Sequence, residues 1–410
     1  MSRSDQTPRR PARAAVMARH GRLKRSAAWK AILATLGATL AVVLVAGSSV
    51  AAIAGWQLNN QLKENTVSIG ADSEPPPDIA AFEGGFNILL VGSDTRAGQG
   101  GIGGNESSVL NDVTMLMHVA EDRQSATVVS FPRDLVVPLP ACKNGGPASG
   151  QPINVTLYYG GLACTVSTVE NLTGLKIQFA GLITFKGVIA MANAVGGVPV
   201  CFASAVSDPY TGLYVKKGTH RLKGANALAF LRSRHGVGDG SDLGRISSQQ
   251  VFLSALVRQI KSDDTLTDFS KLYGIAQAAT KNISLSKNFA NLDTLVSVSL
   301  VLKDIPLDHI VFVQYPSTTG VGGIYTGKVA PIQSVADALF AVIKADKPLG
   351  LDADAIGSHG GSVEDPNAPK PSSTPSPSST PNPDAPKPVT VPGVKGQTAG
   401  QYTCSQAYSG

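Results

Sequence analysis

An apolar run near the N-terminus constrains this chain more than any other feature of its sequence. Residues 31–55 include no ionisable side chain, and 25 residues make a helix of about 37 Å, enough to span a bilayer. The basic arm before it, residues 1–30, predicts a cytoplasmic N-terminus. The alternative is a cleaved signal peptide with Ala52 and Ala54 at its cleavage site, but signal cores are shorter, roughly 7–15 residues. We therefore predict an uncleaved transmembrane signal anchor, a cell-membrane location and an extracytoplasmic remainder.

The basic arm also explains the formal net charge of +6. It holds nine of the 35 basic side chains and one of the 29 acidic ones, which leaves 26 bases and 28 acids for the rest of the chain. The main domain therefore has no excess positive charge with which to attract a phosphate backbone. We expect no nucleic-acid partner.

Composition divides the exported part into three segments. Residues 56–82 form a stem that includes three consecutive prolines, which act as a stiff spacer. Residues 83–350 alternate strand-like apolar runs with helical periodicity, which predicts an α/β catalytic domain. Residues 351–410 hold a Pro/Ser/Thr-rich linker, which cannot bury a core, and a short tail.

Four cysteines lie in the exported part, and none belongs to a C-x-x-C pair, so zinc and redox motifs are not expected. Disulfides are the default in an oxidising compartment, and three connectivities are possible. We favour Cys142–Cys164, which would staple a loop rich in Gly and Asn. That choice leaves Cys201 with Cys404.

Three strands are predicted at 86–91, 113–119 and 126–131 from their β-branched content and the turn residues between them. The short polar turn between the last two favours a hairpin, so these strands run antiparallel. Asp112 precedes the first strand of the hairpin and Arg133 follows the second, so the two residues are predicted at one edge.

A carboxylate and phosphate site is one interpretation of this edge. If the first strand is also antiparallel, Asp94 joins Asp112 and Arg133 there. Two carboxylates with open positions suit Mg²⁺ or Mn²⁺, and an arginine can clamp phosphate oxygens. The alternative is that the two aspartates are turn formers and that Arg133 pairs with Asp134.

A second group of polar residues lies around the start of an amphipathic helix predicted at 243–260. Its members are Arg232, Arg234, Asp242, Arg245 and Gln249. In extended backbone the first two arginines face the same way, and Asp242 is predicted to cap the helix. Three arginines, a glutamine and a helix N-terminus suit a diphosphate. The alternative is a solvated basic face paired to Asp239 and Asp242.

Seven stretches, in the same order, resemble the LytR–CpsA–Psr family of actinobacterial type over roughly residues 85–260. They are NILLVGSDTR (87–96), LNDVTMLMHV (110–119), VSFPRDLVV (129–137), INVTLYYGG (153–161), AVGGVPV (194–200), ALAFLRSRH (227–235) and DLGRISSQQVFL (242–253). The resemblance implies an α-β-α layered domain with a central mixed sheet, preceded by one transmembrane helix. It also implies a phosphotransferase that moves a glycopolymer from a polyprenyl-pyrophosphate carrier to peptidoglycan through a phosphodiester link.

The family's functional residues can be carried over onto this sequence. Asp94 and Asp112 correspond to the Mg²⁺-associated carboxylates, and they are the predicted catalytic residues together with Arg133 and Arg245. The predicted pyrophosphate-binding residues are Arg133, Arg232, Arg234, Arg245 and Gln249. The chain departs from the family at Ser248, where many members have an arginine, and at Pro152, where a lysine is frequent.

Two other functions remain open. The same site could hydrolyse a polyprenyl pyrophosphate with water as the acceptor. Alternatively, the protein is a non-enzymatic anchor whose Pro/Ser/Thr tether reaches the wall.

Overall fold

The structure, a computed structural model, describes residues 28–70, 85–93, 109–262, 265, 268–368 and 387–408. The chain forms two compact units, Met1–Ala54 and Gly55–Gly410. The predicted anchor at 31–55 falls within a helix that spans Ala28–Glu64. Among the described residues, no helix combines the length and the apolar character needed to cross a membrane.

The described residues form eight α-helices. They are α1 (Ala28–Glu64), α2 (Thr156–Thr173), α3 (Phe185–Ala194), α4 (Gly224–Arg232), α5 (Asp242–Ile260), α6 (Phe269–Asn282), α7 (Leu292–Asp304) and α8 (Gln333–Lys344). The first eleven strands are β1 (Thr66–Val67), β2 (Phe86–Ser93), β3 (Asn111–Val119), β4 (Ala126–Phe131), β5 (Val136–Leu139), β6 (Ala148–Pro152), β7 (Phe179–Ile183), β8 (Val198–Phe202), β9 (Val206–Asp208), β10 (Leu213–Val215) and β11 (Gly218–Leu222). The remaining strands are β12 (Ile283–Ser286), β13 (Ile310–Gln314), β14 (Ser317–Thr318), β15 (Ala330–Pro331), β16 (Leu349–Gly350), β17 (Ser362–Glu364), β18 (Val389–Thr390), β19 (Gly396–Thr398) and β20 (Thr403–Ser405).

A mixed eight-stranded sheet forms the centre of the larger unit, with the order β1-β12-β7-β2-β3-β4-β13-β19. Strand β3 runs antiparallel to both β2 and β4, while β2 pairs in parallel with β7 and β4 with β13. The three predicted strands and their antiparallel order are therefore confirmed. Because β3 is antiparallel to both neighbours, the end of β2, the start of β3 and the end of β4 share one edge.

Helices cover both faces of this sheet, because alternate residues of a strand enter different cores. In β2, Leu89 and Val91 pack in a core that includes buried residues of α2 and α8. Phe86 and Ile88 lie in a second core with residues of α7. This arrangement confirms the α-β-α layers and the central mixed sheet. A third core joins α3, α4 and α5 to β8, β9 and β10.

The C-terminal strands belong to the larger unit. Strand β19 forms the edge of the main sheet beside β13, and β20 lies between β8 and β17 in a four-stranded sheet. Both predicted disulfides are present, Cys142–Cys164 and Cys201–Cys404, and the second joins paired residues of β8 and β20. The Pro/Ser/Thr-rich linker lies largely outside the described residues, between β17 and β18, and strands on both sides of it are held in the fold.

Candidate active site

The antiparallel strands bring Asp112 and Arg133 together at one edge of the main sheet. Thr114 of β3 is paired with Phe131 of β4, so Asp112 and Arg133 each lie two residues beyond this pair. Nη1 of Arg133 donates a hydrogen bond to Oδ1 of Asp112 and forms an ion pair with it. The predicted meeting of these two residues is confirmed. Asp94 follows the last residue of β2 and lies outside the described residues.

Asp242, at the start of α5, connects three arginines. Its Oδ2 accepts the backbone N–H of Arg133 at 2.9 Å, and its Oδ1 lies 2.8 Å from Nη2 of Arg234 and 2.6 Å from Nη2 of Arg245. The prediction that Asp242 caps the helix is wrong. Ser241 is the cap, because its hydroxyl oxygen accepts a backbone N–H of the first turn at 3.1 Å. The Asp242 carboxylate is therefore left to organise the arginines.

Arg245 is the most deeply buried cation of this group, with 4% of its surface exposed. Its Nη2 donates to the backbone carbonyl of Asp112 at 3.0 Å, whereas its Nε is buried without a hydrogen-bond partner among the described residues. Burial lowers the pKa of the guanidinium below its usual value, although the attraction of Asp242 raises it. A guanidinium nevertheless stays protonated, so this position holds a buried positive charge with an unused donor.

Asp134 adds a second connection between the cations. Its carboxylate lies 3.7 Å from Nε of Arg133, 3.6 Å from Nη2 of Arg234 and 3.8 Å from Nζ of Lys328. Lys328 was not predicted from the sequence. It comes close because the residue after Asp134 and the residue after Lys328 form a parallel β-bridge. No local motif marks such a pairing.

We call this group the arginine cluster. It consists of Arg133, Arg234, Arg245, Lys328, Asp112, Asp134 and Asp242. Four cations face three carboxylates, so the cluster carries a net positive charge at neutral pH. This balance suits an anionic ligand that can replace part of the internal pairing.

The alternative interpretations of the sequence are each correct in part. Arg133 does approach Asp134, but it also pairs with Asp112. Asp242 does pair with nearby arginines, whereas Asp239 pairs with His359 at 2.8 Å. Burial raises the pKa of Asp239, but hydrogen bonds from Ser241 and His359 outweigh it and hold that pKa below its usual value. The internal ion pairs therefore coexist with a cation cluster.

Arg232 does not share the partners of Arg234. Helix α4 continues through Arg232, and Ser233 after it has extended backbone, so the extended geometry predicted to include both arginines does not occur. The guanidinium carbon of Arg232 lies 4.6 Å from the ring centroid of Phe185 in α3, a cation–π contact. The two arginines therefore contact different parts of the fold.

Gln249 lies one turn after Arg245 in α5 and is buried. Its Nε2 donates to the backbone carbonyl of Leu231 at 2.8 Å, immediately before Arg232. The contact ties α5 to the end of α4. The role of Gln249 as a phosphate ligand stays a prediction.

A buried polar network fixes the loop before α2 against the cluster. Nδ2 of Asn111, next to Asp112, donates to the carbonyl of Ile153 at 3.2 Å, and its Oδ1 accepts from the hydroxyl of Thr156 at 3.3 Å. The backbone N–H of Asn154 donates to the carbonyl of Arg133 at 3.1 Å. The start of β3 and the segment after β4 are thereby both tied to residues 153–156, which limits the movement of Asp112 and Arg133.

At Ser248, where the family resemblance predicts an arginine, the structure gives a physical reason for a small residue. Ser248 is fully buried, and its hydroxyl contacts the carbonyl of Gly361 at 3.1 Å and the hydroxyl of Ser405 at 3.0 Å. The C-terminal strands therefore fill the space that a longer side chain would need. Pro152, the other departure, ends β6 opposite Val136.

Asp112 fits the predicted Mg²⁺ or Mn²⁺, because it offers a hard carboxylate oxygen from a side chain that is 14% exposed. Mg²⁺ commonly takes one or two protein carboxylates and fills its other positions with water and phosphate oxygens. The second predicted carboxylate is Asp94. In the described part of the chain, three potential ligands converge only at Cys201, Asp365 and Cys404, where both sulfurs are already joined in a disulfide.

The chain belongs to the LytR–CpsA–Psr family. The family model matches residues 48–341, a region that includes every residue of the arginine cluster. The resemblance seen in the sequence motifs is thus confirmed.

Several relatives have names that refer to cell-wall assembly. The chain is 29% identical over 273 residues to the cell wall biosynthesis protein LcpA of Corynebacterium glutamicum, a match that covers 59% of this chain and 52% of LcpA. It therefore spans only about half of that relative. It is 28% identical over 267 residues to the polyisoprenyl-teichoic acid–peptidoglycan teichoic acid transferase TagT of Bacillus subtilis, covering 63% of this chain and 78% of TagT.

Solved structures show the same fold. A LytR-Csp2A-Psr enzyme from Actinomyces oris superposes with a TM-score of 0.52 at 22% identity and covers 68% of this chain and 94% of that one. Protein gbs0355 from Streptococcus agalactiae gives a TM-score of 0.53 at 25% identity and covers 64% of this chain and 87% of that one.

Proposed function

We propose that this protein is a Mg²⁺-assisted phosphotransferase that moves a glycopolymer from a polyprenyl-pyrophosphate carrier to peptidoglycan. The observation that carries the proposal is the arginine cluster, in which Arg245 is buried with an unused Nε donor beside Arg133 and Arg234. The name of TagT, a transferase of teichoic acid to peptidoglycan, supports the same reaction class.

The cluster suits a diphosphate because of its charge and its donors. Each guanidinium presents planar N–H groups that match phosphate oxygens, and the burial of Arg245 strengthens its attraction for an anion. Arg133 and Arg234 are more exposed than Arg245, with side chains that are 24% and 28% accessible, so they can contact an entering ligand. The start of α5 adds its partial positive charge.

The reaction joins an acceptor hydroxyl to the phosphorus nearest the glycan. The new O–P bond forms as the bond to the bridging oxygen of the diphosphate breaks, and the polyprenyl monophosphate leaves with the electron pair of that bond. The glycan then carries a phosphodiester link to peptidoglycan. The arginines stabilise the negative charge that grows on the leaving phosphate.

The hydroxyl proton needs an acceptor near the reacting phosphorus. Asp112, which pairs with Arg133 at the sheet edge, is one candidate, and Asp94 is the other. A bound Mg²⁺ supplies Lewis-acid stabilisation of phosphate oxygens, and Asp112 and Asp94 are the residues proposed to hold it.

The proposed substrate requires a position at a membrane surface. The uncharged run at 31–55 and the basic arm before it support a single-pass anchor with a cytoplasmic N-terminus and an extracytoplasmic catalytic domain. Peptidoglycan and a lipid-linked glycan are the partners that this topology would allow.

Substitution of Arg245 tests the proposal. The full chain in detergent is supplied with a polyprenyl-diphosphate-linked N-acetylglucosamine and purified peptidoglycan, with Mg²⁺ present. We expect Arg245→Ala and Arg133→Ala each to lower transfer by about 100-fold or more, because each removes a donor aimed at developing charge. Arg123→Ala is the matched control, since Arg123 lies in the turn at the opposite end of the β3–β4 hairpin.

The products separate the three functions. Transfer of the sugar phosphate to peptidoglycan supports the phosphotransferase, whereas free phosphorylated sugar from the wild type in place of transfer identifies the hydrolase. An anchor would keep its association with the wall in both cluster variants and turn over no substrate. Full transfer by Arg245→Ala would refute the proposed role of the cluster.

A further inference from the structure

The hairpin of β9 and β10 displays two tyrosines, and its turn contacts the segment that carries Arg234. Tyr210, in the turn, is 80% exposed and Tyr214, on β10, is 69% exposed. Val206 of β9 and Leu213 of β10 are buried in the core that also includes residues of α4. The hairpin therefore has an apolar inner side fixed to the domain and an aromatic outer side that faces solvent.

The turn is held by a buried carboxylate. Asp208 is fully buried, and its Oδ1 accepts the backbone N–H groups of Tyr210 at 3.0 Å and Thr211 at 3.3 Å. Its Oδ2 accepts the hydroxyl of Ser233 at 2.6 Å. Because Ser233 immediately precedes Arg234, one carboxylate fixes the tyrosine turn to the segment that carries a cluster arginine.

A ring contact strengthens this connection. The ring of Tyr210 lies 4.6 Å, centroid to centroid, from the ring of His235, the residue after Arg234. Consecutive Cα atoms are about 3.8 Å apart, so the Tyr210 ring lies on the order of 10 Å from the backbone of Arg234. A ligand that enters the cluster with a short chain of sugars attached can reach this distance.

Charge near the tyrosines favours an anionic ligand. Lys216 and Lys217 are exposed directly after β10, and Asp208, which is buried, is the one acid between residues 206 and 217. Flat aromatic faces accept the C–H faces of sugar rings, and tyrosines do so at little cost in conformational entropy. Lysines beside them attract phosphate groups carried along a polymer.

We infer that Tyr210 and Tyr214, with Lys216 and Lys217, form a subsite for the sugar units of the donor that follow the diphosphate. We call it the tyrosine subsite. The inference rests on the proposed function and adds the recognition of the glycan: the enzyme selects donors by a saccharide chain bearing phosphate groups, as well as by the diphosphate itself.

The experiment compares two donors with the full chain in detergent. The minimal donor is a polyprenyl diphosphate with one N-acetylglucosamine, and the extended donor carries an N-acetylhexosamine disaccharide with several glycerol phosphate units. We expect Tyr210→Ala and Tyr214→Ala each to raise KM for the extended donor about two- to tenfold at unchanged kcat, and to leave the minimal donor unaffected. Tyr210→Phe and Tyr214→Phe keep the ring and should keep the wild-type KM.

Leu300→Ala is the control for loss of an exposed apolar side chain, since Leu300 on α7 is 55% exposed and far from the hairpin in sequence. Thermal unfolding verifies that each variant is folded. The inference is overturned if the alanine variants match the wild type, if both donors are affected equally, or if KM for peptidoglycan changes in place of KM for the donor.

Failure of the proposed function gives a different result. In that case the wild type transfers neither donor, and the subsite is measured by calorimetric titration of the lipid-free, phosphorylated oligosaccharide. Binding that is lost in the alanine variants and kept in the phenylalanine variants supports the tyrosine subsite. Equal binding, or no binding by the wild type, refutes it.

Discussion

Helix α5 has two sides with opposite character. One side contributes Asp242 and Arg245 to the arginine cluster, where charged groups share partners and one buried donor has none among the described residues. The other side contacts the C-terminal segment mainly through neutral groups, and Arg258, its charged contact, donates to the backbone carbonyls of Ala399 and Gln401. Ser247 pairs with Ser362 at 2.8 Å, and Ser254 accepts from Gln397 at 2.7 Å.

The difference indicates which side serves stability and which serves binding. Neutral groups that find partners inside the protein hold the C-terminal strands in place and leave little for a ligand. Buried charges with shared partners are costly to maintain, so they indicate a ligand that completes them. Changes on the strand side should therefore lower stability and leave the activity of the folded protein intact, whereas changes on the cluster side should lower activity as well.

The largest expected effect comes from the disulfide on the strand side. The cysteines of Cys201–Cys404 are 203 residues apart and those of Cys142–Cys164 are 22 apart. Chain-entropy scaling gives losses in the free energy of unfolding of about 5 and about 3 kcal/mol when each pair is replaced by serine. Urea denaturation of the two double variants measures the difference. Transfer at low temperature should survive, and equal losses of stability would contradict the scaling.

The cluster side should respond to Asp242→Asn, which keeps the shape and removes the charge between Arg234 and Arg245. We expect a loss of about 3–5 kcal/mol in the free energy of unfolding, because a buried cation loses its partner. Transfer by the folded variant should fall by about 100-fold or more. Asp239→Asn, in the loop just before α5, is the control. Normal transfer by Asp242→Asn would contradict the claim that the cluster side of α5 serves activity.

Ser248→Arg introduces the residue that the family resemblance predicts at this position. The site is fully buried against Gly361 and Ser405, so we expect a loss of about 2–3 kcal/mol from overpacking. Ser248→Ala should cost only about 1 kcal/mol for the lost hydrogen bonds. Denaturation curves of both variants give the values. A more stable arginine variant would show that the C-terminal strands can move aside.

The smallest effect concerns the pair of Asp239 and His359, which joins the loop before α5 to the segment before β17. The folded pKa of Asp239 is lowered, so its stabilising contribution is present above the ordinary value of 3.8 and is lost as the pH falls through the folded pKa. Both side chains are partly exposed, so we expect less than about 1 kcal/mol. Wild type and Asp239→Asn should differ in stability near neutral pH and converge in acid.

Local patterns in the sequence predicted the features that depend on neighbouring residues. The three strands and their turn placed Asp112 beside Arg133, since a hairpin fixes which residues face each other. The two disulfides followed from four cysteines in a segment predicted to be exported and from the choice of Cys142–Cys164 to staple a loop rich in Gly and Asn. The expectation of α-β-α layers came from the resemblance to the family.

The features that were missed depend on close local alternatives or on contacts between distant segments. Asp242 joins the arginines because Ser241 takes the capping role, a choice between adjacent residues that both cap well. Lys328 comes near Asp134 through a β-bridge that has no sequence signature. Arg232 contacts Phe185, and it belongs to the last turn of α4, whereas its spacing from Arg234 had suggested extended backbone at both arginines.

The position of the linker between β17 and β18 has a covalent consequence. A protease that cuts the main chain once between residues 369 and 386 releases no fragment, because Cys404 stays bonded to Cys201. The two pieces should migrate together in non-reducing electrophoresis and separate only after reduction. Cleavage of the linker would thus leave every described strand of the larger unit covalently attached.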